Sequence, residues 1–210
     1  MIVEACVENF SEALLAYNKG ANRLELCENL HIGGTTPSYG AIKACTNKLP
    51  IPSLIMIRPR GGNFVYNQNE LAVMVDDIAV CKQLKPAGVV FGCLTKDNKL
   101  DYTAMEYLIK QCGSMQVVIH KAYDKIKEPW LQIQKLKDIG VCTILSSGGG
   151  KTWQEGKENL LKTLEYCNKY GLTLTVAGKI TENNLSEAMK EIPSNAFHGQ
   201  EILGNLKIQE

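Results

Sequence analysis

The residue types able to do chemistry recur in pairs: Glu4 with Cys6, Glu25 with Cys27, Arg58 with Arg60, and the two histidines His120 and His198. The first three pairs are spaced two apart, the interval at which side chains of one strand share a face. Two thiols suit a soft metal ion, guanidinium forks suit carboxylate or phosphate oxygens, and an imidazole near a carboxylate suits proton transfer. On that logic His120, Glu4 and Glu25 are the candidate acids and bases, with Asp124 placed to orient His120. Arg58 and Arg60, with backbone N–H groups near Gly61 and Gly62, are the candidate anion site. The plainer reading is that Glu4, Glu25, Arg58 and Arg60 neutralise one another, and that each cysteine is a small apolar filler.

The elements that must position these groups are short β-rich runs alternating with helical ones. The runs fall at 2–7, 23–27, 53–58, 88–92, 116–120, 142–146, 172–177 and 195–199. They recur every ~26 residues, enough for a strand, a helix and two loops. Ser11, Asn69 and Pro129 stand where helices begin, and Gly20, Gly140 and Gly171 where they end. Strict alternation predicts a parallel sheet covered by helices, and eight units favour a closed (β/α)8 TIM barrel over an open doubly wound sheet. The whole chain, 1–210, reads as one compact domain, with only the stretch after residue 200 left for a short eighth helical segment.

Alternation also assigns faces. Val3, Ala5, Val7, Leu24, Leu26, Ile55, Ile57 and Pro59 are expected to face the helices. That turns Glu4, Cys6, Arg23, Glu25, Cys27, Arg58 and Arg60 inward, joined by Val118 and His120, and by His198 if Phe197 packs outward. The inward polar groups cluster toward the C-terminal strand ends, where a barrel builds its site.

Composition narrows the function classes. The 210 residues carry 23 Lys+Arg against 22 Asp+Glu, with 45% hydrophobic and 7% aromatic residues, so no global field gathers nucleic acid or a membrane surface. The eight cysteines form no Cys-x-x-Cys, and no export signal or membrane span is visible. A cytosolic protein with reduced thiols is therefore expected. Gly150-Lys151-Thr152 ends like a P-loop, but Leu145 stands where that motif needs glycine. The glycines at 148–150 read instead as a mobile loop, from which Lys151 is able to meet an anion.

Several blocks together resemble the CutC copper homeostasis family: Glu4-Ala-Cys6, Arg23-Leu-Glu-Leu-Cys27, Gly33-Gly34-Thr35-Thr36-Pro37-Ser38, Met56-Ile-Arg58-Pro59-Arg60-Gly61-Gly62, His120-Lys-Ala122-Tyr-Asp124, Ser147-Gly148 and Phe197-His198. The resemblance runs in order along nearly the whole chain, and the Met-Ile-Arg-Pro-Arg-Gly-Gly block is its most specific piece. It implies a cytosolic TIM barrel, an oligomer of identical chains, and copper bound through Cys6 and Cys27. It also adds Ser147 and His198 to the ligand-binding candidates beside Arg58, Arg60, Gly61 and Gly62. Lys121 and Tyr123 depart mildly from the family pattern, where Arg and Phe are usual. Ala177-Gly178-Lys179-Ile180-Thr181 departs further, standing where the family usually carries a Gly-Gly-Gly turn, and is expected to leave less room for a phosphate cradle at the loops after the seventh and eighth strands.

Two functions compete for one pocket. A copper-handling protein needs Cys6 and Cys27 close together, and soft thiolates favour Cu(I). An enzyme acting on a small sugar-like or organic-acid molecule needs the arginines free and a proton carrier poised. A structural or interaction protein is the third reading.

Overall fold

A computed structural model of the chain describes residues 1–207. Eight strands, β1 (Ile2–Val7), β2 (Arg23–Leu26), β3 (Ser53–Met56), β4 (Gly88–Phe91), β5 (Gln116–Ile119), β6 (Thr143–Ser146), β7 (Thr173–Val176) and β8 (Ala196–Gly199), pair in parallel and in sequence order. Glu4 of β1 lies level with Arg23 of β2 on one side and His198 of β8 on the other, which closes the barrel.

Seven helices cover it among the described residues: α1 (Phe10–Asn18), α2 (Tyr39–Lys48), α3 (Gln68–Leu84), α4 (Tyr102–Cys112), α5 (Ile133–Asp138), α6 (Lys157–Tyr170) and α7 (Leu185–Glu191). None is long and apolar enough to cross a membrane. The expected eighth helical segment does not form within the described residues, because that stretch is held by bridges instead. Thr181 pairs with Glu201 and Ile202 with Gly204, while 208–210 lie outside the described residues.

Local chemistry explains the boundaries. Asn9 caps α1 by accepting from Glu12 N, and Asn67 caps α3 in a reciprocal capping box with Glu70. Both starts fall ahead of the Ser11 and Asn69 signals. An N-cap contributes about 1 kcal/mol. Pro129 opens a 3₁₀ turn (Pro129–Gln132) that runs into α5, and Gly171 ends α6 in the left-handed region at φ 71°.

Two cores result, and they separate by strand parity. Val3, Ala5, Val7, Leu24, Leu26, Ile55 and Ile57 pack outward against helix residues such as Ile42, Met74, Ile78, Leu108 and Leu160. A small inner cluster holds Cys6, Cys27, Leu54, Met56, Val90, Val118, Leu145 and Ala177. Each fully buried aliphatic side chain contributes roughly 1.5–3 kcal/mol. The large outer layer therefore carries most of the stability and leaves the interior free to hold polar groups.

Candidate functional site

The inward residues of β1, β2 and β8 form one connected polar assembly. Glu4 accepts from Arg23 Nε, and its other oxygen meets His198 Nδ1 at 2.8 Å. Arg23 Nη2 donates to Thr175 Oγ1 at 2.9 Å, so the guanidinium ties β2 to β7 across the interior. Burial alone would raise the Glu4 pKa, but His198 and Arg23 outweigh it and hold the group below its usual range. Burial likewise opposes charge on His198. Glu25, Cys6 and Glu4 around the ring prevail and raise its pKa well above the ordinary imidazole value. A protonated imidazole thus stands between two carboxylates.

One turn nearer the mouth, Glu25 Oε2 accepts from Cys6 Sγ at 3.3 Å and from Cys27 Sγ at 3.6 Å. The two sulfurs and the carboxylate oxygen all lie within 4.8 Å of one another. Burial raises the Glu25 pKa, with Glu4 adding and His198 opposing. Its hydrogen-bonding contact toward Cys27, burial and the nearby carboxylate push the Cys6 thiol well up. The Cys6 contact lowers the Cys27 pKa, but burial and Glu25 overcome it and push the thiol up to about 11. Both thiols are therefore protonated at neutral pH, and Glu25 is the acceptor already in contact with their hydrogens.

These groups open into a cavity of about 230 Å³ that His120, Phe64 and Met56 close from the other side. His120 Nδ1 accepts from Ala122 N at 3.2 Å, which fixes the neutral tautomer with its hydrogen on Nε2. Burial, and secondarily Arg58, lowers its pKa to about 3. The expectation of an acid or base titrating near neutral pH is therefore corrected: His120 is a fixed hydrogen-bond donor. Its Nε2 and Glu25 Oε1 are buried and have no partner among the described residues.

The arginines depart from expectation. Arg58 does turn inward and is buried, but it is occupied by the loops: Nη1 donates to Ile32 O at 3.2 Å and Gly34 O at 2.8 Å, and Nη2 to Gly62 O at 2.7 Å. Its guanidinium also lies over the Phe64 ring. Arg60 leaves the interior altogether, pairing with Glu70 of α3 and donating to the carbonyls of Gly61, Asn63 and Val65. The anion site expected from Arg58, Arg60, Gly61 and Gly62 is therefore not assembled, because carbonyl oxygens and one carboxylate take up the terminal donors of both guanidiniums, with Arg58 Nε left buried and unpartnered among the described residues. Nor do Glu4 and Glu25 pair with these arginines.

Asp124 does not orient His120 either. It accepts from Ser146 Oγ, from Ser147 N at 2.9 Å and from Ser147 Oγ at 2.8 Å. Ser147 is thereby committed to the loop after β6, as its further bond to Gly150 O at 2.9 Å indicates. That loop is packed, contrary to the expectation of mobility. A Cβ on Gly148 would come within 2.1 Å of Gly156 O, and Asn159 Nδ2 donates to Gly148 O at 2.9 Å.

A second cavity of about 470 Å³ lies over the loops after β6, β7 and β8 and is lined by Lys121, Lys151, Lys179, Gln200 and Glu201 among others. Parity left Arg23 inward without a role. It gave no signal at all for Lys121, Lys179 and Gln200, because their positions depend on loop paths.

Fold and site together define a class: a closed (β/α)8 barrel with a buried thiol pair, two carboxylates and a charged imidazole gathered below its C-terminal mouth. Within that class the chain belongs to the CutC family, whose profile matches residues 1–203. A CutC family protein of Enterococcus faecalis is 39% identical over 210 residues, covering 97% of this chain and 100% of the relative. The human copper homeostasis protein cutC homolog is 34% identical over 197 residues, 94% of this chain and 72% of that protein. The crystal structure of CutC from Streptococcus agalactiae superposes with a TM-score of 0.91 at 35% identity, covering 96% of this chain and 100% of that one.

Proposed function

We propose that this protein serves copper homeostasis by holding Cu(I) as cargo between Cys6 and Cys27. The observation that carries the reading is the meeting of both sulfurs and a Glu25 oxygen within 4.8 Å. Thiolates are soft ligands suited to Cu(I), whereas a carboxylate is a hard one. Glu25 therefore acts on the protons: loading one Cu(I) onto two thiols displaces two protons, and the carboxylate touching both sulfurs is the first acceptor. The complex carries one negative charge, which the protonated His198 beside it offsets. Eight free cysteines support a reducing, cytosolic setting. An assembly of identical chains belongs to the same reading and is checked by light scattering.

The test is a Cu(I) titration against a competing chelator. Cys6→Ser/Cys27→Ser should abolish competition, and unchanged affinity in that variant would refute the reading. Because both thiols start protonated, the apparent affinity should climb by about two log units per pH unit. The slope should continue above pH ~8.5, where ordinary thiols have already ionised. The enzymatic alternative loses its first proton carrier in His120 and keeps Glu25, whose pKa burial raises.

A further inference from the structure

The two cavities at the mouth adjoin, sharing Lys121, His198 and Gln200 in their linings, so that the mouth offers one composite recess. Their combined size falls in the span of small-molecule sites, roughly 300–1,000 Å³. Its two ends differ in chemistry. At the outer end three exposed ammonium groups, Lys121, Lys151 and Lys179, face a single carboxylate, Glu201. None of the three lysines is ion-paired among the described residues.

The backbone there is also suited to oxyanions. Gly178, at φ 110°, lies so close to the preceding loop that a Cβ would come within 2.6 Å of Trp153 N, and Lys179 follows in the left-handed region at φ 55°. The N–H groups of Gly178, Lys179 and Ile180 donate to no acceptor among the described residues. Loops after the seventh and eighth strands are where barrels of this kind most often hold a phosphate. The Gly-Lys step keeps enough open backbone to do so.

At the inner end, two buried polar atoms are left without partners and line the cavity: the acceptor Glu25 Oε1 and the donor His120 Nε2. Each is at least nine-tenths buried, with Glu25 3% and His120 4% exposed. An orphaned buried donor and acceptor in one cavity call for a ligand that supplies both roles, as hydroxyl groups do.

We infer that the mouth binds a phosphorylated polyol or sugar, its phosphate held by Lys121, Lys151, Lys179 and the Gly178–Ile180 backbone, its hydroxyls read by Glu25 and His120. Neither end alone specifies this class. The lysine end would take any oxyanion, and the inner pair any hydroxyl compound; their connection selects molecules that carry both. The site does not depend on copper, and the two readings fail separately.

Calorimetric titration of the full chain with ribose 5-phosphate, glucose 6-phosphate, glycerol 3-phosphate, inorganic phosphate and free ribose tests it. At least one phosphate ester should bind about tenfold or more tightly than inorganic phosphate, and free ribose should be the weakest. Lys151→Glu/Lys179→Glu should weaken the ester by at least about tenfold, while Lys110→Glu on α4 leaves it unchanged. His120→Asn should narrow the gap between ester and inorganic phosphate without abolishing phosphate binding. Cys6→Ser/Cys27→Ser should lose Cu(I) and keep the ester. No ester binding below about 10 mM, equal binding of ester and inorganic phosphate, or indifference to the double lysine substitution would each overturn the inference.

Discussion

The barrel mouth has two halves that handle positive charge in opposite ways. Along β1 to β3 the cations are guanidiniums, and every one is engaged: Arg23 by Glu4 and Thr175, Arg58 by three loop carbonyls, Arg60 by Glu70 and three more. Over β5 to β8 the loop-tip cations of the open cavity are lysines, exposed and without ion pairs among the described residues. The planar fork of arginine offers five donors, and a folding chain with loose carbonyls close by takes up most of them. A compact ammonium on a flexible stem stays available. The densest cationic motif in the sequence therefore builds the scaffold, while sparse, scattered lysines line the open cavity.

The largest effect that would break this contrast lies at Arg23. Arg23→Ala leaves the buried Glu4 with only His198, and removing one partner of a buried ion pair costs about 3–5 kcal/mol. Urea unfolding should register that loss, and a stability near wild type would mean that the closed half is not held by its arginines.

Next comes Arg58→Ala, which strips donors from the carbonyls of Ile32, Gly34 and Gly62 and should cost about 2–3 kcal/mol. Lys121→Ala, Lys151→Ala and Lys179→Ala should each stay within about 0.5 kcal/mol of wild type by the same measurement. Equal losses on both sides would erase the distinction.

The smallest expected effect is that of pH on His120. Its folded pKa of about 3 lies below the ordinary imidazole value, so the unfolded chain takes up the proton first as the solution is acidified. The His120 contribution to stability is whole above pH ~6.5 and declines steadily between there and pH ~3. Unfolding curves of wild type and His120→Asn should accordingly converge in acid, and a ring resonance of His120 that titrates near neutrality would contradict the assignment.

Legibility in the sequence followed the reach of strand periodicity. Within a strand, two-residue alternation put Glu4, Cys6, Glu25, Cys27 and His198 inside, and the structure places all five there. Past the last paired residue that logic weakens. Arg58, two beyond the end of β3, still points inward, but Arg60, after Pro59, has left the barrel. Asp124 was misread for a similar reason, because the 3₁₀ turn Tyr123–Lys125 carries it to Ser146 and Ser147. Helix starts slipped by two residues where an asparagine stood upstream of the apolar pattern. The lysine cavity was legible only in part: Lys151 stood out as able to meet an anion, but its meeting with Lys121, Lys179 and Gln200 is decided by loop paths and barrel closure.

The Glu4–Arg23–Thr175 layer has a consequence for traffic. It lies beneath the thiols and joins β1, β2 and β7 across the axis, so the interior has a floor among the described residues. Whatever reaches Cys6 and Cys27 arrives and departs through the same doorway, past His198, Lys121 and Gln200. Occupants of such a blind alley queue: a molecule parked in the doorway must step out before anything deeper leaves, which makes release ordered in time even with no moving part.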